Sequence, residues 1–286
     1  MIAEQFNKLM LSSGNKTRLQ KLEREQLKSH VGRVRGSVIY CEGYTSTDLD
    51  TGVASTYYVC YHPEADTMLL SAYAKLRSEN YTGAVVIDSE DTDVYAQAAY
   101  VSHQLGGDLL IKRKHELINC KAMGSKDVAD IIIPLHVITG NDHTSGFYGY
   151  GKKLVWENMI NDSGARELLG RVGERLEIAV TCGQARASKW HKLKKKSTIR
   201  HQPDDDSLNL HLKRTNYIAY CQLHYGMREH PSPIGHGCTI MNGKCRLVRH
   251  AIPSLPEHLA HRHSLDESTE SSSDDESDFA ESTDSD

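Results

Sequence analysis

The sequence predicts an α/β fold, a mostly parallel central sheet flanked by helices, on three observations. Short β-branched runs alternate with segments of helical spacing, which is the pattern of a sheet built from strand–helix–strand units. The run Val85-Val86-Ile87-Asp88 is apolar on successive positions, as a strand buried on both faces must be. It is followed at once by Ser89-Glu90-Asp91-Thr92-Asp93, a polar cluster opening a helical stretch, and carboxyl ends of strands are where open α/β sheets place their ligands.

The elements follow in order. Residues 4–30 carry Leu19, Leu22 and Leu27 among Lys, Arg, Glu and Gln, which predicts an amphipathic helix or pair of helices broken near Ser12-Ser13-Gly14. Two β-rich runs, Ser37–Cys41 and Ser55–Tyr61, flank a polar turn with Asp48, Asp50 and Gly52. His62-Pro63-Glu64 then opens a helix to about Arg77, because proline suits the first helical position. After the strand at 84–88 comes a helix from Thr92 to Gln104, a Gly106-Gly107 turn, a strand Leu109–Ile111 and a second at Glu116–Asn119. Ser125 before Asp127 marks a helix start, and Val128, Ile131, Ile132, Leu135 and Ile138 keep one apolar face up to Gly140, with Pro134 expected to kink it. Further helices are expected at Lys152–Ile160, from Ser163 to about Ala185, and over residues 207–225.

Charge is unevenly distributed. The chain has 38 acids against 34 Lys and Arg, yet ten of the acids lie between Ser264 and Asp286, where there is no basic residue. The remaining 28 acids against 34 bases give a body of charge +6, attractive to nucleic acid, and an acidic tail that competes for the same surface. The Ser/Asp/Glu tail has too few apolar residues to bury a core and is expected to be disordered. Ser271, Ser272 and Ser273 each have an acid three residues on, the pattern of an acid-directed phosphorylation site. Lys192, Lys194, Lys195 and Lys196 make a basic linker. Ile131–Ile138 is the longest nearly apolar stretch and is too short to span a bilayer. With a polar start that lacks signal-peptide features, this predicts no membrane association and a nuclear or cytoplasmic location.

Seven widely spaced cysteines do not make a disulfide framework. Cys221-x-x-His224 and His236-x-Cys238 with Cys245 carry zinc-ligand types, but at a spacing that fits no compact finger. Most of the cysteines are expected to be small buried side chains.

The candidate site is a set of carboxylates. Glu64 and Asp66 lie in a first helical turn, Asp91 and Asp93 follow a strand, and Asp142 in Thr139-Gly140-Asn141-Asp142 follows a helix end. Any one of them is what caps a helix or ends a strand; the ordered set is what points to a site. Acids gathered in one crevice repel one another, and a divalent cation relieves the repulsion. Hard oxygen ligands suit Mg²⁺ or Mn²⁺, and two such ions about 4 Å apart serve phosphodiester hydrolysis. The strand-end acids also suggest the haloacid-dehalogenase-like phosphatases. Their Asp-x-Asp-x-Thr is replaced here by Asp88-Ser89-Glu90-Asp91-Thr92, with Glu in the second acidic place.

Glu64-Ala65-Asp66, Ser89-Glu90-Asp91-Thr92-Asp93, Thr139-Gly140-Asn141-Asp142-His143 and Gly149-Tyr150-Gly151-Lys152-Lys153, in that order, resemble the motif series of the flap endonuclease branch of PIN-like nucleases. Those motifs are a Glu-Ala-Glu helix start, a Glu-Asp-x-Asp strand end, a Gly-x-Asp-Tyr helix end and a Gly-Ile-Gly-Pro-Lys hairpin. The resemblance covers about residues 60–165, and the flanks are similar to uncharacterised multi-copy animal PIN-like proteins. It implies a PIN-like domain over residues 1–188, a basic linker at 189–206, a C-terminal helix and irregular lobe at 207–262, and the tail at 263–286. It further implies metal-dependent, structure-specific hydrolysis of nucleic acid, DNA rather than RNA, with Mg²⁺ or Mn²⁺, two ions where the site is intact. Asp66, Asp91, Asp93 and Asp142 would then be metal ligands, Glu64 an acid of the same catalytic group, and Gly149, Gly151, Lys152 and Lys153 a phosphate-contacting hairpin. Lys152 stands where those nucleases have proline, and His143 where they have tyrosine. Their first strand, with its own metal-binding Asp, has no counterpart before Glu64, so the resemblance implies an N-terminally shortened relative, either active or a non-catalytic binding or interaction module.

Overall fold

In the computed structural model, the described residues are 12–42, 45–54, 65–146, 152–177, 205–227, 229–241 and 244–248. All belong to the first of two units into which the chain divides, 1–248 and 249–286. The element order is α1 (Ser13–Lys28), β1 (Ile39–Glu42), β2 (Thr45–Asp48), α2 (Ala65–Ser78), β3 (Val85–Asp88), α3 (Thr92–Leu105), β4 (Leu109–Arg113), β5 (Glu116–Asn119), α4 (Lys126–Ile138), α5 (Lys152–Met159), α6 (Ser163–Gly170), α7 (Asp205–Leu223), β6 (Cys238–Met241) and β7 (Lys244–Leu247). The fold is α/β. The strand expected at Ser55–Tyr61, the basic linker at 189–206 and the acidic tail lie outside the described residues.

The sheet that matters for the site has the order β3-β4-β5. β3 and β4 are parallel, with Val85 opposite Leu109 and Ile87 opposite Ile111. β4 and β5 are antiparallel, Ile111 facing Ile118. The sheet is therefore mixed rather than mostly parallel: a helix separates β3 from β4, whereas β4 and β5 are joined by a tight turn in which Lys114 has φ +51°, and such a turn can only reverse the chain. β1–β2 and β6–β7 are separate two-stranded hairpins.

Two apolar clusters hold the unit together. One joins the sheet to α2 and α3 through Leu70, Tyr73, Ile87, Val94, Val101, Leu109 and Ile111. The alternation of β3 explains it: Ile87 faces the helices and is buried, while Val86 on the other face is exposed. The second cluster joins α4 to α5, α6 and α7 through residues such as Ile133, Val137, Val155, Leu169, Leu208 and Leu212. Residues 205–223, read from sequence only as one more helix, thus share a core with α4. His211 Nε2–H reinforces the packing by donating to the Ile138 carbonyl at the end of α4, 3.0 Å away. Burial, the dominant influence on His211, holds its pKa below the ordinary histidine value.

Other boundaries differ from expectation. α1 begins at Ser13, with Ser12 extended as its N-cap, so a helix boundary falls at the Ser12-Ser13-Gly14 segment; residues 1–11 lie outside the described residues. α4 is one helix with Pro134 inside it. Proline lacks the amide that would reach the carbonyl four residues back; Pro134 is buried, and its neighbours Ile133 and Leu135 pack in the second cluster. α6 ends at Gly170 rather than continuing to Ala185. The chain turns at Gly173, whose φ of +80° and close approach to Ala219 leave no room for a β-carbon. Asn216 on α7 fixes the turn, accepting from the Gly173 amide at 2.9 Å and donating to the Arg175 carbonyl at 2.9 Å.

Candidate functional site: an acidic crevice at the end of β3

The crevice is built from three segments. The first is the turn from β3 into α3. Asp91 is the N-cap of α3, and its Oδ1 accepts from the Asp93 amide at 2.9 Å. Ser89 tightens the same turn, its hydroxyl accepting from the Asp91 amide at 3.1 Å and its carbonyl accepting from the Tyr95 hydroxyl at 3.1 Å. Asp93 follows in the first turn of α3, where the helix dipole favours a negative charge, and only 9% of it is exposed.

The second segment is the end of α4. His136 Nε2 lies 2.5 Å from Asp93 Oδ1, and the two side chains are only 10% and 12% exposed. With its proton on Nε2 donated to the carboxylate, the imidazole presents Nδ1 as an acceptor. The outer side of His136 closes an open, largely apolar groove of about 200 Å³ between α3 and α4, lined by Tyr95, Ala99, Met123, Val128 and Ile132.

The loop after α4 completes this segment. Asn141 donates through Nδ2 to Asp93 Oδ2 at 3.3 Å. Its Oδ1 accepts from the His143 amide at 3.1 Å and from the Thr144 amide at 3.0 Å, so one asparagine both folds the loop and holds the aspartate. Gly140 makes the loop possible: its φ is +105°, and a β-carbon there would stand 2.6 Å from the Gly146 nitrogen.

The third segment is the start of α5. Lys152 Nζ lies 3.2 Å from His136 Nδ1 and 3.4 Å from Nε2, so the ammonium rests against the ring rather than on one nitrogen. Burial lowers the pKa of Lys152 from the ordinary lysine value, against the opposing pull of Asp93, Asp142 and Asp91. For Asp93, burial acts to raise the pKa, but the hydrogen bond from His136, the Lys152 ammonium and the hydrogen bond from Asn141 together outweigh it and hold the carboxyl below the usual value.

Of the residues singled out from sequence, Asp91, Asp93, Asp142 and Lys152 are therefore brought to one crevice. Asp142, Lys152 and Lys153 are exposed. Asp66 is half-buried in the first turn of α2 and is not among the groups that set the charge state of Asp93 or Lys152. Glu64, Gly149 and Gly151 lie outside the described residues. His136 and Asn141 were not singled out. Asn141 was visible inside the quoted Thr139-Gly140-Asn141-Asp142, but His136 is one polar residue in an apolar helix and carries no signal in spacing.

The aspartates are the hard oxygen donors that Mg²⁺ and Mn²⁺ take, but their arrangement does not fit such ions. Both Asp93 oxygens are engaged by neighbours, and among the described residues no group of three or more His, Cys, Asp or Glu is placed to hold a metal ion. Of the C-terminal Cys and His residues, Cys221 is buried, His224 stacks on Tyr220 at 4.1 Å, and His236 stacks on Tyr217 at 5.4 Å; the Cys245 side chain lies outside the described residues. Cys41, Cys120, Cys221 and Cys238 are outside any disulfide. Among the described residues no helix is long and apolar enough to cross a membrane. No protein-family model matches the chain, and no curated protein or solved structure is similar to it.

Proposed function

We propose that the chain is a PIN-like module of nuclease descent that binds nucleic acid, DNA rather than RNA, without hydrolysing it. The observation that carries this reading is the state of Asp93. A carboxylate that coordinates a catalytic ion needs an open oxygen, and here Oδ1 is held by His136 and Oδ2 by Asn141 in a site about nine-tenths buried. Support for a nucleic-acid partner comes from the +6 charge of residues 1–263 and from exposed cations on two elements, Lys112, Arg113 and Lys114 around the β4–β5 turn and Lys153 on α5. The acidic tail, and more so a phosphorylated one, would compete with that partner.

A metal-dependent hydrolase is the second reading. It is favoured by one observation: Asp91 and Asp93 from the β3–α3 turn and Asp142 from the loop after α4 all act on a single cation, Lys152, beyond the carboxyl end of β3. Release of Asp93 from His136 would be the first requirement for such an activity.

Labelled flap, single-stranded and duplex DNA incubated with the full chain in Mg²⁺, Mn²⁺ or a chelator separates the two. The binding module retards DNA in all three conditions and cuts in none. Cutting that requires the metal and disappears in Asp91→Ala/Asp93→Ala would establish the hydrolase instead.

A further inference from the structure

Lys152 sits where the sequence leads one to look for a metal. It opens α5 at the position held by proline in the hairpin motif that the segment resembles, so its side chain is an addition of this chain. Its ammonium lies against the ring of His136, and His136 in turn bonds Asp93. The charges that attract it belong to Asp93, Asp142 and Asp91, the acids that a divalent ion would need. We infer that Lys152 is a tethered cation that fills the acidic crevice in place of a divalent ion and thereby keeps such ions out. The inference rests on the PIN-like reading of the crevice and goes beyond it by naming what blocks the metal.

The exclusion has two physical parts. A divalent ion entering among the aspartates would face the Lys152 ammonium on the exposed side of the buried Asp93, and like charges at that range repel. It would also have to take an Asp93 oxygen from His136, stripping a buried carboxylate of its nearest donor. The tether adds persistence: an ammonium on a four-carbon stem is always at high local concentration and cannot be removed by dilution or chelation.

The test is direct titration with Mn²⁺ alone, followed by loss of the paramagnetic-resonance signal of the free aquo ion, on full-length wild type, Lys152→Met, Lys153→Met and Lys152→Met/Asp93→Asn. Lys153→Met removes the same charge from the next position, likewise exposed, and controls for net charge. Lys152→Met is expected to bind Mn²⁺ about tenfold more tightly than wild type, given a unit charge removed at close range. The gain should be absent in Lys153→Met and lost in the double variant. Equal affinity of wild type and Lys152→Met, or an equal gain in Lys153→Met, overturns the inference. Should Lys152→Met fail to fold by its melting curve in chelator, submillimolar Mn²⁺ binding by wild type alone would overturn it. The two proposals fail separately: DNA cutting by wild type in chelator would sink the silent-module reading and leave Lys152 as the cation of the site, whereas Mn²⁺ binding without cutting would do the reverse.

Discussion

Replacing His136 by alanine strips the buried Asp93 carboxylate of its closest partner. Breaking a buried pair from one side costs about 3–5 kcal/mol, most of it the penalty of an uncompensated charge. Asn141 remains at 3.3 Å and Lys152 stays nearby, so the lower end, about 3 kcal/mol, is expected. For a unit of this size about 2–4 °C of melting temperature go with each kcal/mol, and His136→Ala should therefore melt about 6–12 °C below wild type. Urea denaturation of wild type, His136→Ala, Asp93→Ala and the double variant closes a cycle in which the two single losses overlap by about 2 kcal/mol. The sign of the pH dependence follows from Asp93, whose folded pKa lies below its ordinary value of 3.8. A carboxyl depressed by folding contributes stability that is present in full above the unfolded pKa and is lost as pH falls through the folded one. The penalty in His136→Ala is then largest near neutrality and fades below about pH 3.8 as Asp93 takes up a proton. A loss under about 0.5 kcal/mol, or strict additivity in the cycle, would refute the claim that the pair is coupled in the folded protein.

Three further outcomes are expected. Gln97 on α3 is 1% exposed and neither of its amide atoms has a partner, so Gln97→Met, which keeps the length and removes the unpaired polar atoms, should raise stability by about 1–2 kcal/mol in a urea titration. The Cys120 thiol, pushed up to about 12 by burial, should resist a thiol reagent at about pH 8 in the native protein and react only on unfolding, as mass spectrometry of the labelled peptide would show. Lys112 and Asp88 meet at 2.6 Å, but the side chains are 50% and 68% exposed; Lys112→Ala should change the melting midpoint by no more than about 0.5 kcal/mol allows, and less at high salt.

Much of the scaffold around the crevice was legible because local signals there agree. The apolar run at 85–88, the cap at Asp91 and the apolar stripe after Ser125 each name one element, and β3, α3 and α4 form where those signals place them. The mixed sheet was harder to read, since hydrophobic runs of similar length serve parallel and antiparallel pairing and only the tight turn at Lys114 decides between them. At the site, Asp91, Asp93 and Asp142 announced themselves by type and order, but their partners did not. His136 reaches Asp93 across 43 residues and Lys152 reaches His136 across 16, contacts made by tertiary packing of α3, α4 and α5. A lysine in a glycine-rich turn reads as a phosphate contact, and nothing in one dimension reveals that it lies against the ring of His136.

The hydrogen bond from His211 to the Ile138 carbonyl spans 73 residues and ends one turn from His136. The last turn of α4, which presents His136 and leads into Asn141, is thus secured by a helix synthesised well after it. A chain emerging from the ribosome in order has β3, α3 and α4 in hand while that carbonyl still faces water, and acquires its finishing donor only when residues 205–223 are released. A chain cut short before residue 205 keeps every aspartate of the site but lacks the His211 donor that meets the end of α4.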